Sequence, residues 1–285
     1  MPREEYIEQE YFFRVYRERL QDNMPSQEIL KTVHEEILST TRLPMAIDFL
    51  RAEILHSGRI SEAMARLPHY FAPFQTFVIS RAEDDVSRFD QITALEILER
   101  EAKYRANGAS MAGLFVYQFE CIARNRLGYT DGIPAMAGDP IFDDPWRKWI
   151  RGLREKLGAM ELAEMVFRAS EHFVNRRRQL SPPVAAEAAA ESVETPATQL
   201  FGDPEGRIAR ANIGRDPLYF FAALQRQLNY PQVPLSRKTS DERLSPVLEA
   251  RLNRLEQRLK IVEMEQKGGI DLTKFYRKDS DSPAS

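Results

Sequence analysis

Apolar residues in much of this chain recur at three- and four-residue spacing, in runs bounded by proline and glycine. Leu43, Ile47, Leu50, Ile54 and Leu55 follow this spacing, as do Ile92, Leu95, Leu98 and Ala102. Such a stripe lines one face of an α-helix, where neighbours on the surface stand three and four residues apart. Pro25, Pro44, Gly58, Pro68, Gly108 and Gly128 punctuate the runs. Proline lacks the amide proton a helix interior needs, and glycine tolerates the backbone reversal that ends one. No stretch sustains the period-two alternation of a half-buried strand, so the expected fold class is all-α. Helices are expected over 4–22, 25–39, 44–57, 61–67, 70–83, 88–106, 109–127 and 145–178, the last with a candidate break at Gly158, and 129–144 reads as a loop. Asp144-Pro145, Asp216-Pro217 and Ser245-Pro246 read as helix starts, because the first side chain caps a free amide and proline loses nothing in the first turn.

This punctuation divides the chain into an N-terminal helical bundle (1–178), a linker, an aromatic docking region (200–235), a short coiled coil (244–268) and a flexible tail (269–285). The linker, 179–199, carries three acids, no bases and no large aromatic, a composition that cannot bury a core and is expected to be disordered. In 244–268, Leu248, Leu252, Leu255, Leu259 and Val262 repeat at alternating four- and three-residue spacing, the a/d seam of a coiled coil. A homodimer through this seam is the favoured expectation, and a single amphipathic helix packed on its own domain is the alternative. The tail, after Gly268-Gly269, reads equally as a docking peptide or as a segment packed on its own domain.

Charge and length narrow the function. The 285 residues include 40 Lys and Arg against 43 Asp and Glu, a net charge of −3. A general nucleic-acid binder would carry a basic excess, so none is expected. One cysteine, Cys121, allows no internal disulfide. The N-terminus is acidic and polar, unlike a signal peptide, and the apolar run Leu114–Phe119 is too short to span a bilayer. The expected location is cytoplasmic, possible contact with the inner membrane being peripheral.

One ordered set of residues carries more information. Phe13, Arg17 and Leu20 precede Asn23-Met24-Pro25 and Glu28-Ile29-Leu30. Gly58, Ser61, Ala63, Pro68 and Phe71 follow, then the turn Ala82-Glu83-Asp84-Asp85-Val86-Ser87-Arg88-Phe89-Asp90 before a helix over Ile92–Tyr104. Gly58 suits a left-handed helix end, Ser61 suits a cap and Phe71 suits the core of a bundle. In this order residues 12–104 resemble the cytoplasmic helical domain of the GspF/PilC family, the inner-membrane platform proteins of type II secretion and type IV pilus machines. The resemblance implies a non-enzymatic interaction module with protein partners, a secretion or pilus assembly ATPase among them. Two departures accompany it: Ala82 and Ser87 replace the family's turn glycines, and Leu114–Phe119 stands where the family has a transmembrane helix.

The side chains suited to chemistry have simpler readings beside the functional ones. Glu83, Asp84 and Asp90 form an acidic turn that could hold a hard cation, though without the spacing or central glycine of an EF-hand. Capping and solvation are the favoured explanation, as capping is for Asp144 and Asp139. Glu53-x-x-His56 is half of a di-iron motif without a second copy. Asn107–Gly113 lacks the pattern of a nucleophile turn, and no phosphate-cradling loop is present. No catalytic or cofactor-binding residue is assigned. Arg147, Arg151 and Arg154 form the basic side of a helix whose other face is Trp146, Trp149, Ile150, Leu153 and Leu157. They are candidates for contact with a partner or an anionic surface, with a solvated basic side as the plain alternative. Asn175-Arg-Arg-Arg178 reads as cations placed at a helix C-terminus.

Overall fold

The structure, a computed structural model, describes residues 1–37, 40–84, 89–180 and 199–236. Most of the linker, the whole heptad seam and the tail lie outside the described residues. Those described form thirteen helices and no strand, an all-α fold. The helices are α1 (Arg3–Gln21), α2 (Ser26–Glu36), α3 (Leu43–Ser57), α4 (Ile60–Ala65), α5 (Pro73–Ala82), α6 (Gln91–Ala106), α7 (Met111–Asn125), α8 (Tyr129–Ala137), α9 (Asp144–Lys156), α10 (Leu162–Arg168), α11 (Glu171–Leu180), α12 (Asp203–Asn212) and α13 (Pro217–Leu228).

The long first helix packs antiparallel on α6. Arg3 near its start donates to the Ala106 carbonyl (3.1 Å), and Arg17 near its end pairs with Glu99 (2.9 Å). The apolar side of α1 supplies Phe12, Phe13 and Tyr16 to the core, and Phe71 plugs in beside Phe13 at a ring separation of 6.4 Å. Gly58 ends α3 in the left-handed conformation, φ 70°, as its place in the sequence suggests. Ser61 does not cap the helix that follows. Glu83 does, its carboxylate accepting from the amides of Ile60 (2.6 Å) and Ser61 (3.1 Å) and from the Ser61 hydroxyl.

The run at Leu114–Phe119 has its explanation in α7. Every residue from Gly113 to Ile122 is buried, Gln118 and Glu120 among them, so α7 is covered on all sides and its apolar run belongs to the core. Among the described residues no helix is long and apolar enough to cross a membrane. The expected aromatic docking region packs against α7: α13 buries Phe220, Phe221 and Leu224, and the Tyr230 hydroxyl donates to Glu120 (2.7 Å) with the Phe221 carbonyl also within reach (3.0 Å). Tyr104 donates to the Leu228 carbonyl (2.9 Å) and Asn125 to that of Pro234 (3.0 Å). Residues up to Ser236 therefore belong to one unit with the N-terminal helices.

Three local expectations are corrected. The loop expected over 129–144 contains α8, with Pro134 inside it; its Gly132 packs closely, a methyl there lying 2.6 Å from Ile122 Cδ1 and 3.2 Å from Phe77. The span expected to be helical over 145–178, with a candidate break at Gly158, is three helices, one break more than expected. Gly158, at φ 96°, separates the first two. The second break, at Ala169–Ser170, is held by the returning chain, where the Leu200 amide donates to the Ala169 carbonyl (2.9 Å) and the Glu171 amide to that of Phe201 (2.9 Å). The cap of α9 is Asp143, which accepts from the Trp146 amide (3.0 Å), with Asp144 one place inside the helix.

One buried cluster of charge joins α6, α7 and the end of α8. Arg105 donates to Glu101 (2.7 Å) and to both oxygens of Asp139, and Gln118 donates to Glu101 (2.7 Å) and Asp139 (3.1 Å). Asp139, read from sequence as a cap, is instead the far partner of a core arginine. Burial pushes the Glu101 carboxyl above its ordinary range; Arg105 pulls it back, and Asp139 adds to the rise.

Candidate functional site

Helices α11 and α12 are brought together by the short backbone pairing that breaks the chain at Ala169–Ser170. Gly206 of α12 faces Ser170 and the Cβ of His172, so the two backbones meet where a side chain would not fit. From that contact the helices run in the same direction: His172 and Asp203 bond in their first turns, and Gln179 and Arg210 line the same groove in their last. Packing against α10 and α13 fixes α12 from the other sides.

The groove between them has a volume of about 780 Å³. Its α11 wall carries His172, Asn175, Arg176, Arg178 and Gln179, and its α12 wall Asp203, Arg207 and Arg210. Positions 172, 175, 176 and 179 share one helix face, as do 203, 207 and 210, because residues three, four and seven apart stack along a helix. Among the described residues, four guanidinium groups thus face a groove holding one carboxylate. That carboxylate is engaged on both oxygens: His172 Nδ1 donates to Asp203 Oδ1 (2.9 Å) and Arg207 Nε to Oδ2 (2.6 Å). Among the described residues no carboxylate lies within ion-pair distance of Arg176, Arg178 or Arg210.

Arg178 and Arg210 individually suit their positions in the last turns of their helices, where the helix dipole favours cations. The dipole does not require two helices to present their arginines to one groove. Like charges held close repel, more strongly where protein displaces water. Chemically, the groove offers planar guanidinium forks and neutral amide donors to an oxyanion.

The residues singled out from sequence lie elsewhere. Glu83 is occupied in capping α4. Asp90 caps α6, accepting from the Thr93 amide (3.0 Å) and hydroxyl, and Asp84 lies 3.6 Å from Arg81. Among the described residues no group of three His, Cys, Asp or Glu is placed to hold a metal ion. Glu53 pairs with Arg66 (2.7 Å), and His56 is exposed. Cys121 is fully buried. On α9, Trp146, Ile150 and Leu153 face the core. Arg147 pairs with Asp144 (3.5 Å), Arg151 and Arg154 are exposed, and none of the three lines the groove.

Sequence reasoning placed Arg176 and Arg178 at a helix end but missed their counterparts on α12. Asp203-Pro204 was the available signal, the same Asp-Pro pair that marks α9 and α13. No family model, no curated protein and no solved structure matches the chain. The likeness of residues 12–104 to the GspF/PilC family rests on its quoted motifs alone.

Proposed function

We propose that this chain is a non-enzymatic interaction module that binds an anionic segment of a protein partner in the groove between α11 and α12. The observation that carries the reading is the convergence of Arg176, Arg178, Arg207 and Arg210 on a groove where the described residues supply a single, already engaged carboxylate. An arginine-rich surface supported by two packed helices is a common means of recognising acidic or phosphorylated segments. The platform-protein likeness makes a secretion or pilus assembly ATPase the first partner to try, and the heptad seam Leu248–Val262 would pair two copies of the chain.

The test is fluorescence anisotropy of a labelled glutamate-rich peptide titrated with the full chain at low and moderate salt. Binding should weaken with salt, as expected for exposed charges, and should be lost in the double reversal Arg176→Glu with Arg210→Glu. Equal binding by wild type and the reversal variant, or none by wild type at low salt, would reject the reading.

A further inference from the structure

We propose that the anion taken by the α11–α12 groove is a phosphomonoester on a serine or threonine of an extended peptide. This rests on the anionic-partner reading above and specifies its ligand.

Charge favours the assignment first. One peptide carboxylate supplies a single negative charge and two oxygens, too little for the three arginines that have no carboxylate partner among the described residues. A phosphomonoester supplies a charge of about −1.5 to −2 near neutrality and three acceptor oxygens on one atom. Donors reaching it from both walls would each find an oxygen, and a guanidinium can engage two at once. Asn175 and Gln179 add amide donors on the same face as Arg176.

Size argues the same way. From His172 to Gln179 the α11 wall extends roughly 10 Å, at about 1.5 Å of rise per residue. That length accommodates one phosphorylated residue and its neighbours. Nucleic-acid binding draws its affinity from many phosphates along a backbone, and neither this wall nor the net charge of −3 provides for that.

The convergence of like charge also makes a separate prediction. If the groove's arginines repel one another until a dianion arrives, removing one from each wall relieves that repulsion. The double substitution Arg176→Gln with Arg210→Gln should therefore keep or raise the melting temperature of the free chain while abolishing binding, a trade of stability for function.

The experiment compares four labelled probes against the full chain by anisotropy: a short peptide with one phosphoserine, the same peptide with glutamate there, the same with serine, and a single-stranded RNA of matched charge. The phosphoserine peptide should bind roughly tenfold or more tighter than the glutamate peptide, and the double glutamine variant should lose that preference without melting earlier. Equal binding of the phosphoserine and glutamate peptides would overturn the phosphate assignment and leave the anionic reading intact. Failure of every probe would overturn both. Tightest binding by the RNA would overturn the peptide assignment in favour of a nucleic-acid ligand.

Discussion

Gly206 of α12 stands so close to His172 of α11 that a methyl group on the glycine would lie 2.6 Å from the His172 Cβ. The same methyl would lie 2.7 Å from the Cβ of Ser170. Neither Cβ can turn away, so Gly206→Ala has to push the helices apart. The expected cost is about 1–3 kcal/mol, typical of overpacking, together with a weaker grip on any anion that both walls contact. Urea denaturation reads the first effect and peptide anisotropy the second. A variant with unchanged stability and affinity would show that the close approach does not set the groove.

The Arg105–Asp139 pair makes a second prediction. Their charged groups are almost wholly covered, at 2% and 0% side-chain exposure, so neither is left to water if the other is removed. Asp139→Ala removes one of the two carboxylates paired with buried Arg105, leaving only Glu101, and should cost about 3–5 kcal/mol, the usual penalty for removing one partner of a buried pair. Glu164→Ala, which breaks the exposed pair with Arg168 (2.5 Å), should cost no more than about 1 kcal/mol. Equal costs would mean that water reaches Arg105 in the folded protein.

Glu101 predicts a pH dependence whose sign follows from its shift. Burial raises its pKa in the folded chain above the ordinary value of 4.5. The folded state therefore holds the proton more tightly than the unfolded one. The resulting stabilisation is complete below the ordinary value and is lost as pH rises through the folded value. Glu101→Gln removes that titration. The stability of wild type relative to this variant should fall with rising pH above about 4.5, then level off. Chemical denaturation of both proteins across acidic and neutral pH checks it; a relative stability that rises with pH would reverse the assignment.

Glu83 separates a cap from a metal ligand. Its oxygens hold the first amides of α4, so Glu83→Ala should cost roughly 0.5–2 kcal/mol, as removal of a helix cap does. Adding magnesium or calcium should leave the melting temperature of wild type unchanged. A rise on adding either ion, absent in the alanine variant, would return Glu83 to the metal reading.

Much of the fold was legible because its cause is local. The spacing in α3 and α6, the left-handed Gly58 and the Asp216 cap each depend on a few adjacent residues. What escaped depends on distant contacts. The segment 129–144 read as a loop, whereas α8 forms there with Pro134 inside it and Gly132 close against Ile122 and Phe77. The break at Ser170 needs the amide of Leu200, which the intervening linker sequence conceals. Asp139 gave no local hint of its pairing with Arg105, thirty-four residues earlier. The candidate site escaped for the same reason: Arg176 and Arg178 satisfy a helix end by themselves, and only the return of α12 sets Arg207 and Arg210 opposite them.

Hydrogen–deuterium exchange on the full chain, with and without saturating phosphoserine peptide, would locate the contact directly. The account predicts added protection concentrated in 171–180 and 203–212. Protection centred instead on 147–154 of α9, with α11 and α12 unchanged, would contradict it and assign recognition to Arg147, Arg151 and Arg154.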